Sequence, residues 1–322
     1  MTLPARVLTA GETMVLLDPL DDGAPSMGSR FDVRVAGAET NYGIGLTRLG
    51  IGVRWVSKIG DDPFGGIIAE ALGDEDIDLG YLQREPGAPT GVFFKWRSAG
   101  RSHVFYYRKG SAASRLGPED VPEGAFDGIA HVHLTGITMA ISESAGELVV
   151  DLARRASQRS ITVSFDPNFR PALWKSPRAA LDAHLCVLPY VDWYLCGLEE
   201  GHLLFGTGTE RRLVDAVEDA GAGNVVVRVG ERGVIVREGA DLVTVAPPKL
   251  ESVLDELGAG DGFAAGFTYG LLQGWAPHRC AQAGNLIAGA ALRGTGDWET
   301  LPYLGEVQSD LQAIATTGGR RG

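Results

Sequence analysis

Strand-like and helix-like segments alternate through the middle of the chain. Residues 130–135 and 161–166 are runs of strand length, and residues 142–157 between them carry apolar side chains along one helix face. A strand, a helix and a second strand in this order form right-handed units of parallel sheet. Such sheets bind ligands beyond the carboxyl ends of their strands. The sequence therefore predicts an α/β fold with a mostly parallel central sheet and a binding site at that edge.

Three other segments predict a separate, smaller sheet. Residues 90–96 and 103–108 are strand-like and flank a short polar loop, as the arms of a hairpin do, and residues 31–35 alternate apolar and polar side chains. Tyr106 and Arg108 lie two positions apart, so their side chains point to the same face. They form either a solvent-facing pair or a contact for a substrate with an apolar edge and a negative charge.

The run Gly258-Ala259-Gly260-Asp261 is the main candidate for a catalytic site. These small residues leave backbone N–H groups uncovered, and a helix that begins at about Ala259 would direct those groups and its positive dipole end at an anion. Asp261 in the first turn would then accept a proton from a hydroxyl beside a bound phosphate, which is the arrangement of phosphoryl transfer. An ordinary glycine turn with an acid at the helix start explains the same residues equally well.

Polar residues follow two other predicted elements. Asn41 lies in the first turn of a helix that starts after Gly37, where its amide either belongs to a capped helix start or faces a ligand. Asn168 and Arg170 follow directly after the predicted strand at residues 161–166. Because ligands bind beyond the carboxyl ends of parallel strands, Asn168 and Arg170 are candidates for the binding site.

Composition limits the class of protein. The chain has 322 residues, 44% of them hydrophobic, which is enough for a large core. The net charge of −12 would repel nucleic acid. Cys186, Cys196 and Cys280 form no C-x-x-C pair and are predicted to be reduced, buried thiols of a cytoplasmic protein. We expect neither a signal peptide nor a membrane partner, because no stretch approaches the ~18–20 apolar residues of a bilayer span.

Several segments resemble motifs of the ribokinase-like (PfkB) carbohydrate kinases. Residues 255–261 are similar to the D-T-x-G-A-G-D signature, with Glu256 in place of Thr. Residues 36–41 are similar to the G-G-x-x-x-N sugar-binding motif, with Ala36 in place of Gly, and residues 166–174 resemble D-x-N-x-R-x-x-L-W. The resemblance covers nearly the whole chain, because further matches occur in the family's order at Gly60-Asp61-Asp62, Gly230, Gly233 and Asn285.

The resemblance implies a fold and an activity. The fold is a single ribokinase-like α/β/α domain over residues 1–322, with a small β-sheet lid built from residues 12–36 and 88–111. A lid of this kind closes over the sugar and keeps water from the phosphoryl group. The activity is ATP-dependent phosphorylation of the terminal hydroxyl of a sugar or sugar acid. We also expect a homo-oligomer that forms through the lid, since exposed strand edges and apolar faces favour pairing.

The family's site roles fall on matching positions. Asp261 is the general base, and Gly258, Ala259 and Gly260 form the anion hole. The substrate contacts are Gly37, Asn41, Tyr106, Arg108, Arg170 and Asp261. The nucleotide contacts are Asn168, Arg228, Gly230, Gly233, Gly258, Gly260 and Asn285. Glu200 matches the acid that helps to hold hydrated Mg²⁺, but Gly197 replaces the family's Asn, so a simple helix-start role stays open.

The substrate is less constrained than the reaction. The chain looks most like 2-keto-3-deoxygluconate kinases, whose substrate is a carboxylate. A planar guanidinium binds a carboxylate through two parallel hydrogen bonds, so Arg108 and Arg170 suit that substrate. Fructokinase-like, ribokinase-like and 5-dehydro-2-deoxygluconate kinase activities are alternatives within the fold. A non-catalytic sugar or nucleotide sensor is an alternative from another class, although it would be expected to have lost Asp261.

The chain lacks the sequence motifs of two other enzyme classes. The chain contains no G-x-x-x-x-G-K-[ST] loop, which excludes a P-loop kinase. It has no G-x-G-x-x-G after the first strand, which argues against a dinucleotide oxidoreductase.

The cofactors that the resemblance implies are ATP and Mg²⁺. The family also allows a monovalent cation near the anion hole, and the Glu256 replacement leaves that point open.

Overall fold

A computed structural model describes most of the chain. The described residues are 3–21, 23–98, 101–248, 258–294 and 296–316, with only the backbone of residues 97, 98, 101 and 102. The tip of the predicted hairpin at residues 99–100 lies outside them. The first part of the signature, including Glu256, also lies outside the described residues.

Thirteen strands occur in the described ranges. In chain order they are β1 (Ala5–Ala10), β2 (Met14–Pro19), β3 (Phe31–Ala36), β4 (Gly52–Gly60), β5 (Asp78–Glu85), β6 (Val92–Ser98), β7 (Arg101–Tyr107), β8 (His131–Thr135), β9 (Thr162–Asp166), β10 (Trp193–Gly197), β11 (Asn224–Arg228), β12 (Val234–Glu238) and β13 (Asp241–Val245). Nine of them form one sheet in the order β13-β12-β11-β10-β9-β8-β1-β4-β5. The strands from β11 to β5 run parallel, and β12 and β13 add an antiparallel edge, which confirms the predicted sheet.

Helices cover both faces of this sheet. They are α1 (Ala38–Arg48), α2 (Pro63–Asp74), α3 (Gly136–Met139), α4 (Glu143–Gln158), α5 (Pro177–His184), α6 (Leu198–Phe205), α7 (Glu210–Asp219), α8 (Ala259–Leu272), α9 (Pro277–Ala291) and α10 (Leu304–Thr316). Along β11, Val225 and Val227 belong to a core that includes residues of α4 and α7. Val226 between them belongs to the opposite core, with residues of α1, α2 and α8. Burial on both faces explains why β10 and β11 are nearly continuous apolar runs. In β8 and β9 the buried polar side chains of His131, His133 and Ser164 bond to one another instead.

The starts of the helices differ in a way that matters for binding. Five helices have a side-chain cap on the first turn, from Asp62 (α2), Thr135 (α3), Ser142 (α4), Ser176 (α5) and Thr209 (α7). By contrast, the residues just before α1 and α8 are Gly37 and Gly258, and neither helix has a side-chain cap. The first amides of these two helices are therefore free of a capping side chain and available to a ligand.

Four strands form a second sheet in the order β3-β2-β6-β7. This confirms a separate small sheet, to which β2 contributes a parallel pairing with β6. Its inner face carries a small apolar cluster of Met14, Leu16, Ala36 and Phe93. The extent of the chain as one domain and the function of this sheet as a lid stay predictions.

Two sequence-based interpretations are wrong. The sequence indicates residues 277–292 as the last long helix, but α10 follows it and buries Val307 and Leu311. Cys196 and Cys280 are buried as expected, but Cys186 is exposed just after the end of α5. In the ranges that the structure covers, no helix has both the length and the apolar character of a bilayer span.

Candidate active site

Asp261 lies in the first turn of α8, where two asparagine amides reach it. The Nδ2 group of Asn41, in α1, donates to Oδ2 of Asp261 over 2.8 Å. The Nδ2 group of Asn168, just after β9, donates to Oδ1 over 3.5 Å. Each carboxylate oxygen therefore has an amide donor, and the two donors fix the plane of the carboxyl group.

Close packing of α1 against α8 brings Asn41 to Asp261. Gly45 leaves room for this approach, because a Cβ atom there would lie 2.9 Å from Cβ of Ala265. The Tyr42 hydroxyl donates to Thr268 Oγ1 over 3.1 Å, which fixes the two helices along their axes. The backbone N–H of Gly37 donates to Oδ1 of Asn41 over 3.4 Å. The Asn41 side chain is thus held between the start of α1 and the start of α8.

The surroundings of Asp261 favour its neutral form. Removal of the carboxyl from water raises its pKa to about 8, and the nearby charges of Asp166 and Asp297 act in the same direction. The hydrogen bond from Asn41 and the positive charge of Arg170 partly oppose this shift. A carboxylate with a pKa near the working pH is well suited to accept a proton from a hydroxyl.

The pH dependence of activity follows from this raised pKa. A base must be deprotonated to act, so kcat/KM for ATP at saturating sugar acid is expected to rise about tenfold per pH unit below pH 8 and to level off above it. Asn41→Ala removes the hydrogen bond that lowers the pKa of Asp261, so the rise should move to higher pH. The measurement is a kcat/KM profile for both proteins. If kcat/KM of the variant rises with pH around the same midpoint, the rise cannot be assigned to Asp261.

The start of α8 has the geometry of an anion site. Gly258 has φ of +73°, in the left-handed region, and a Cβ atom there would lie 1.8 Å from the carbonyl oxygen of Asp297. The first hydrogen bond of the helix is donated by Gly262 N to Gly258 O. The amides of residues 259–261 precede this bond and have no partner within the helix. These amides and the helix dipole favour a negatively charged group next to Asp261.

A cavity of about 1150 Å³ opens beside the start of α8. Five of the seven predicted nucleotide contacts line it: Arg228, Gly230, Gly233, Gly260 and Asn285. Asn285 donates from Nδ2 to the carbonyl oxygens of Val245 and Ala246, over 3.2 and 3.3 Å, and so supports one wall. Asn168 and Gly258 are not among the lining residues and lie closer to Asp261. The cavity has the size of a ligand site for a molecule such as a nucleotide.

Charged groups lie between this cavity and Asp261. Arg228 Nη1 bonds to Asp166 Oδ2 over 2.8 Å, and Arg228 Nη2 lies 4.0 Å from Glu200 Oε2. Asp166 also accepts from the backbone N–H of Asn168 over 2.9 Å, which helps to hold Asn168 at a left-handed φ of +37°. The ion pair between Asp166 and Arg228 was not predicted, because the two residues are 62 positions apart in the chain.

Glu200 has the helix-start role that the sequence left open, and its role at Mg²⁺ stays a prediction. It accepts hydrogen bonds from the backbone N–H groups of Phe169 and Gly197, the second at the start of α6. Its side chain also lines the cavity. Burial raises its pKa, and the charge of Asp166 adds to the rise. Within the described residues there is no group of three or more His, Cys, Asp or Glu side chains placed to hold a metal ion.

Arg108 is buried rather than solvent-facing. Its side chain is 8% exposed, and Nη2 pairs with Oε2 of Glu12 over 2.5 Å. The guanidinium carbon lies 5.8 Å from the centre of the Tyr106 ring, so the two residues share a face as expected. Atoms Nε and Nη1 of Arg108 are buried without a hydrogen-bond partner. Unpaired buried donors of a cation are costly, so they indicate that a ligand completes this site.

The remaining predicted substrate contacts lie at the start of α1 and after β9. Gly37 packs on the connection between β1 and β2, because a Cβ atom at Gly37 would lie 2.4 Å from the carbonyl oxygen of Glu12. Arg170 is exposed, and its charge acts on Asp261. Arg108 acts through its charge on Glu39, two residues before Asn41. Glu12 and Glu39 were missed, although Glu12 follows the first strand, where binding residues of α/β folds occur.

Comparison with known proteins gives a consistent result. The sequence matches the family described as "pfkB family carbohydrate kinase" over residues 4–303. It is 33% identical over 317 residues to the 2-dehydro-3-deoxygluconokinase of Bacillus subtilis, covering 98% of both chains. It is 34% identical over 312 residues to the enzyme of that name from Thermoproteus tenax, covering 96% of this chain and 94% of the relative.

A solved structure with bound ligands has the same fold. It is a putative ribokinase II from E. coli in complex with ATP and Mg²⁺. The TM-score is 0.86 at 25% identity, and the match covers 96% of this chain and 99% of that one. The predicted ribokinase-like architecture is therefore confirmed.

Proposed function

The chain belongs to the pfkB family of carbohydrate kinases, and we propose that it transfers the γ-phosphoryl group of ATP to the terminal hydroxyl of 2-keto-3-deoxygluconate. This sugar acid, also called 2-dehydro-3-deoxygluconate, gives the two curated relatives their names. The observation that carries the choice of substrate is the buried guanidinium of Arg108 with two unpartnered N–H groups.

A carboxylate is the ligand that best completes Arg108. The Nε and Nη1 donors of a guanidinium diverge, and each can supply one strong, charge-assisted hydrogen bond to an anionic oxygen. A neutral sugar hydroxyl can also accept from either donor, but without the added strength that a negatively charged acceptor gives. Arg170 is the second candidate for a contact to the sugar acid, because it follows β9 and its charge acts on Asp261.

The proposed mechanism uses the two groups at the start of α8. Asp261, held by Asn41 and Asn168, accepts the proton of the sugar hydroxyl as that oxygen attacks the γ-phosphate in line. The amides of residues 258–260 hold the phosphoryl oxygens as negative charge develops on them. The small sheet acts as a lid that excludes water from the phosphoryl group.

ATP occupies the cavity lined by Arg228, Gly230, Gly233 and Asn285 in this proposal. Mg²⁺, when bound with ATP, neutralises charge on the phosphate oxygens. Glu200 suits a water-mediated contact to that ion, because it lines the cavity and keeps carboxylate lone pairs beyond its two backbone hydrogen bonds. The monovalent cation of the family stays an expectation from the resemblance alone, since Glu256 lies outside the described residues.

The alternative activities differ in whether their substrate has a carboxylate that Arg108 could bind. Fructokinase-like and ribokinase-like activities supply no carboxylate for it. A 5-dehydro-2-deoxygluconate kinase does supply one, so that enzyme is the strongest rival within the family. A non-catalytic sensor does not need Asp261, and the two amides that orient this side chain favour a catalytic role.

Replacing Arg108 by Lys tests the choice of substrate. Lys keeps the charge but loses the planar pair of donors, so KM for 2-keto-3-deoxygluconate is expected to rise about 10- to 100-fold. KM for ATP should change little. Steady-state kinetics measures both, and Arg178→Lys on the exposed face of α5 is the matched control. An unchanged KM for 2-keto-3-deoxygluconate in the Arg108→Lys protein would contradict a carboxylate role for Arg108.

We propose that the outer face of the small sheet joins two copies of the chain. Val33, Phe105 and Tyr107 are between 48% and 63% exposed. The strand register places all three on one face, with Leu17 and Phe94 between Val33 and Phe105. A contiguous exposed apolar patch is typical of an interaction surface. Phe105→Asp is expected to give monomers in analytical ultracentrifugation. The control Leu203→Asp alters an equally exposed apolar residue on α6, and dissociation in both variants would contradict the proposed interface.

A further inference from the structure

Glu12 and Arg108 form a buried ion pair where the small sheet meets the central sheet. The side chains are 1% and 8% exposed. Glu12 follows β1, and Arg108 follows β7. The backbone of Gly91, just before β6, also packs on Glu12, since a Cβ atom there would lie 2.6 Å from Oε1. Apart from the pair with Arg108, neither oxygen of Glu12 has a hydrogen-bond partner.

A second buried carboxylate lies beside this pair. Oε1 of Glu39 accepts from the hydroxyls of Thr135 and Thr138, each over 2.5 Å. Glu39 packs against Gly11, the neighbour of Glu12. A Cβ atom at Gly11 would lie 2.2 Å from the carboxyl carbon of Glu39. Arg108 is the cation that acts on both acids, and the Ser111 hydroxyl also faces Glu12. The cluster thus has two acids for one cation before any substrate binds.

We propose that Glu12 takes up a proton when the carboxylate of the sugar acid binds to Arg108, an inference that rests on the proposed function. The substrate carboxylate stays ionised and accepts a hydrogen bond from one of the two free donors of Arg108, Nε or Nη1, while the proton comes from solvent and adds to Glu12. Without that proton, one guanidinium would face three buried carboxylates, which is unfavourable where water cannot screen them. A buried acid in such a position becomes neutral instead.

The environment of Glu12 already favours this response. Burial raises the pKa of Glu12, and the positive charge of Arg108 opposes the rise. A substrate carboxylate on Arg108 offsets that opposing charge, so the pKa of Glu12 rises further on binding. Burial raises the pKa of Glu39 as well, but the hydroxyls of both Thr135 and Thr138 oppose that rise through hydrogen bonds, whereas Glu12 has the hydroxyl of Ser111. By linkage, affinity for the sugar acid must fall as pH rises, by up to about tenfold per pH unit.

Calorimetry of binding tests the proton uptake. Because Asp261 itself has a pKa of about 8, the titrations use the Asp261→Asn protein, in which that carboxyl is absent. Binding of 2-keto-3-deoxygluconate is measured at neutral pH in PIPES and in Tris, two buffers with different heats of ionisation. If a proton is taken from the buffer, the binding enthalpy differs between the two, and the difference gives the number of protons. We expect an uptake of between about half a proton and one proton.

Two variants assign the proton to a residue. Glu12→Gln keeps the shape of the side chain but cannot titrate, so the difference between buffers should disappear. Glu39→Gln is the matched control and should keep it. Loss of the difference in the Glu39 variant alone would overturn the assignment to Glu12. If Glu12→Gln fails to fold, the fall in affinity with rising pH in the parent protein is the second measurement.

The outcomes separate this inference from the proposed function. Binding with equal enthalpies in both buffers and with an affinity independent of pH would overturn the proton uptake and leave the substrate in place. Absence of any binding of the sugar acid would contradict the proposed substrate, and the inference with it.

Discussion

Replacing Asp261 by Asn is expected to lower kcat by about 10²- to 10⁴-fold, the range for loss of a general base. Asn has nearly the same shape and can still contact Asn41 and Asn168, so the sugar should bind with little change. What is lost is the ability to accept the hydroxyl proton as the bond to phosphorus forms. Steady-state ADP release at saturating ATP and sugar acid measures the effect.

A control for charge alone is available at Asp297. Its charge acts on Asp261 and raises the pKa of that carboxyl, so Asp297→Asn should lower the pKa slightly and change kcat by less than about tenfold. Asp261→Asn with an unchanged kcat would remove Asp261 from the mechanism. Equal losses in the two variants would indicate a general electrostatic effect in place of base catalysis.

Replacing Gly258 by Ala should damage both stability and activity. The residue has a left-handed φ of +73°, and the added Cβ would lie 1.8 Å from the carbonyl oxygen of Asp297. The backbone must shift to relieve this contact, so we expect a loss of at least ~3 kcal/mol in the free energy of unfolding. The shift also moves the first amides of α8, and kcat should fall by at least ~10²-fold, as when an oxyanion donor is lost.

Gly239 is the matched control for this substitution. Its φ of +61° is similar, but no atom lies within 4 Å of the position of an added Cβ. Gly239→Ala therefore isolates the conformational strain and should lower the free energy of unfolding by about 1–2 kcal/mol, with kcat unchanged. Urea unfolding and ADP release give both quantities. If Gly258→Ala behaved like Gly239→Ala, the start of α8 would not be the rigid element that the mechanism needs.

The regular parts of the fold were predictable because their signals are local. The start of α8 at Ala259 follows from the small residues before it, and the parallel sheet follows from alternating strand and helix patterns. The edge strand β5 was missed because its residues are mostly half-exposed and include polar side chains on both faces. α10 was missed although Leu304, Val307, Leu311 and Ile314 have helical spacing, because only part of that face is buried.

The contacts of the site were not predictable from local patterns. Asn41 and Asp261 are 220 positions apart, and their hydrogen bond depends on close packing between α1 and α8. From the motifs alone, Asn41 is expected at the sugar and Asn168 at the nucleotide, whereas both amides contact Asp261. In the same way, the sequence indicates Arg108 as a ligand contact but gives no sign that Glu12 pairs with it. Which polar groups meet is decided by tertiary packing.

The most direct test of the central claim is an ADP-release assay on the purified protein with Mg-ATP and five possible substrates. These are 2-keto-3-deoxygluconate, 5-dehydro-2-deoxygluconate, fructose, ribose and gluconate. The arrangement of Asp261, the amides of α8 and Arg108 predicts turnover with 2-keto-3-deoxygluconate and none with the neutral sugars. Turnover of fructose or ribose, without turnover of the keto-deoxy acid, would contradict the proposed substrate and the role of Arg108.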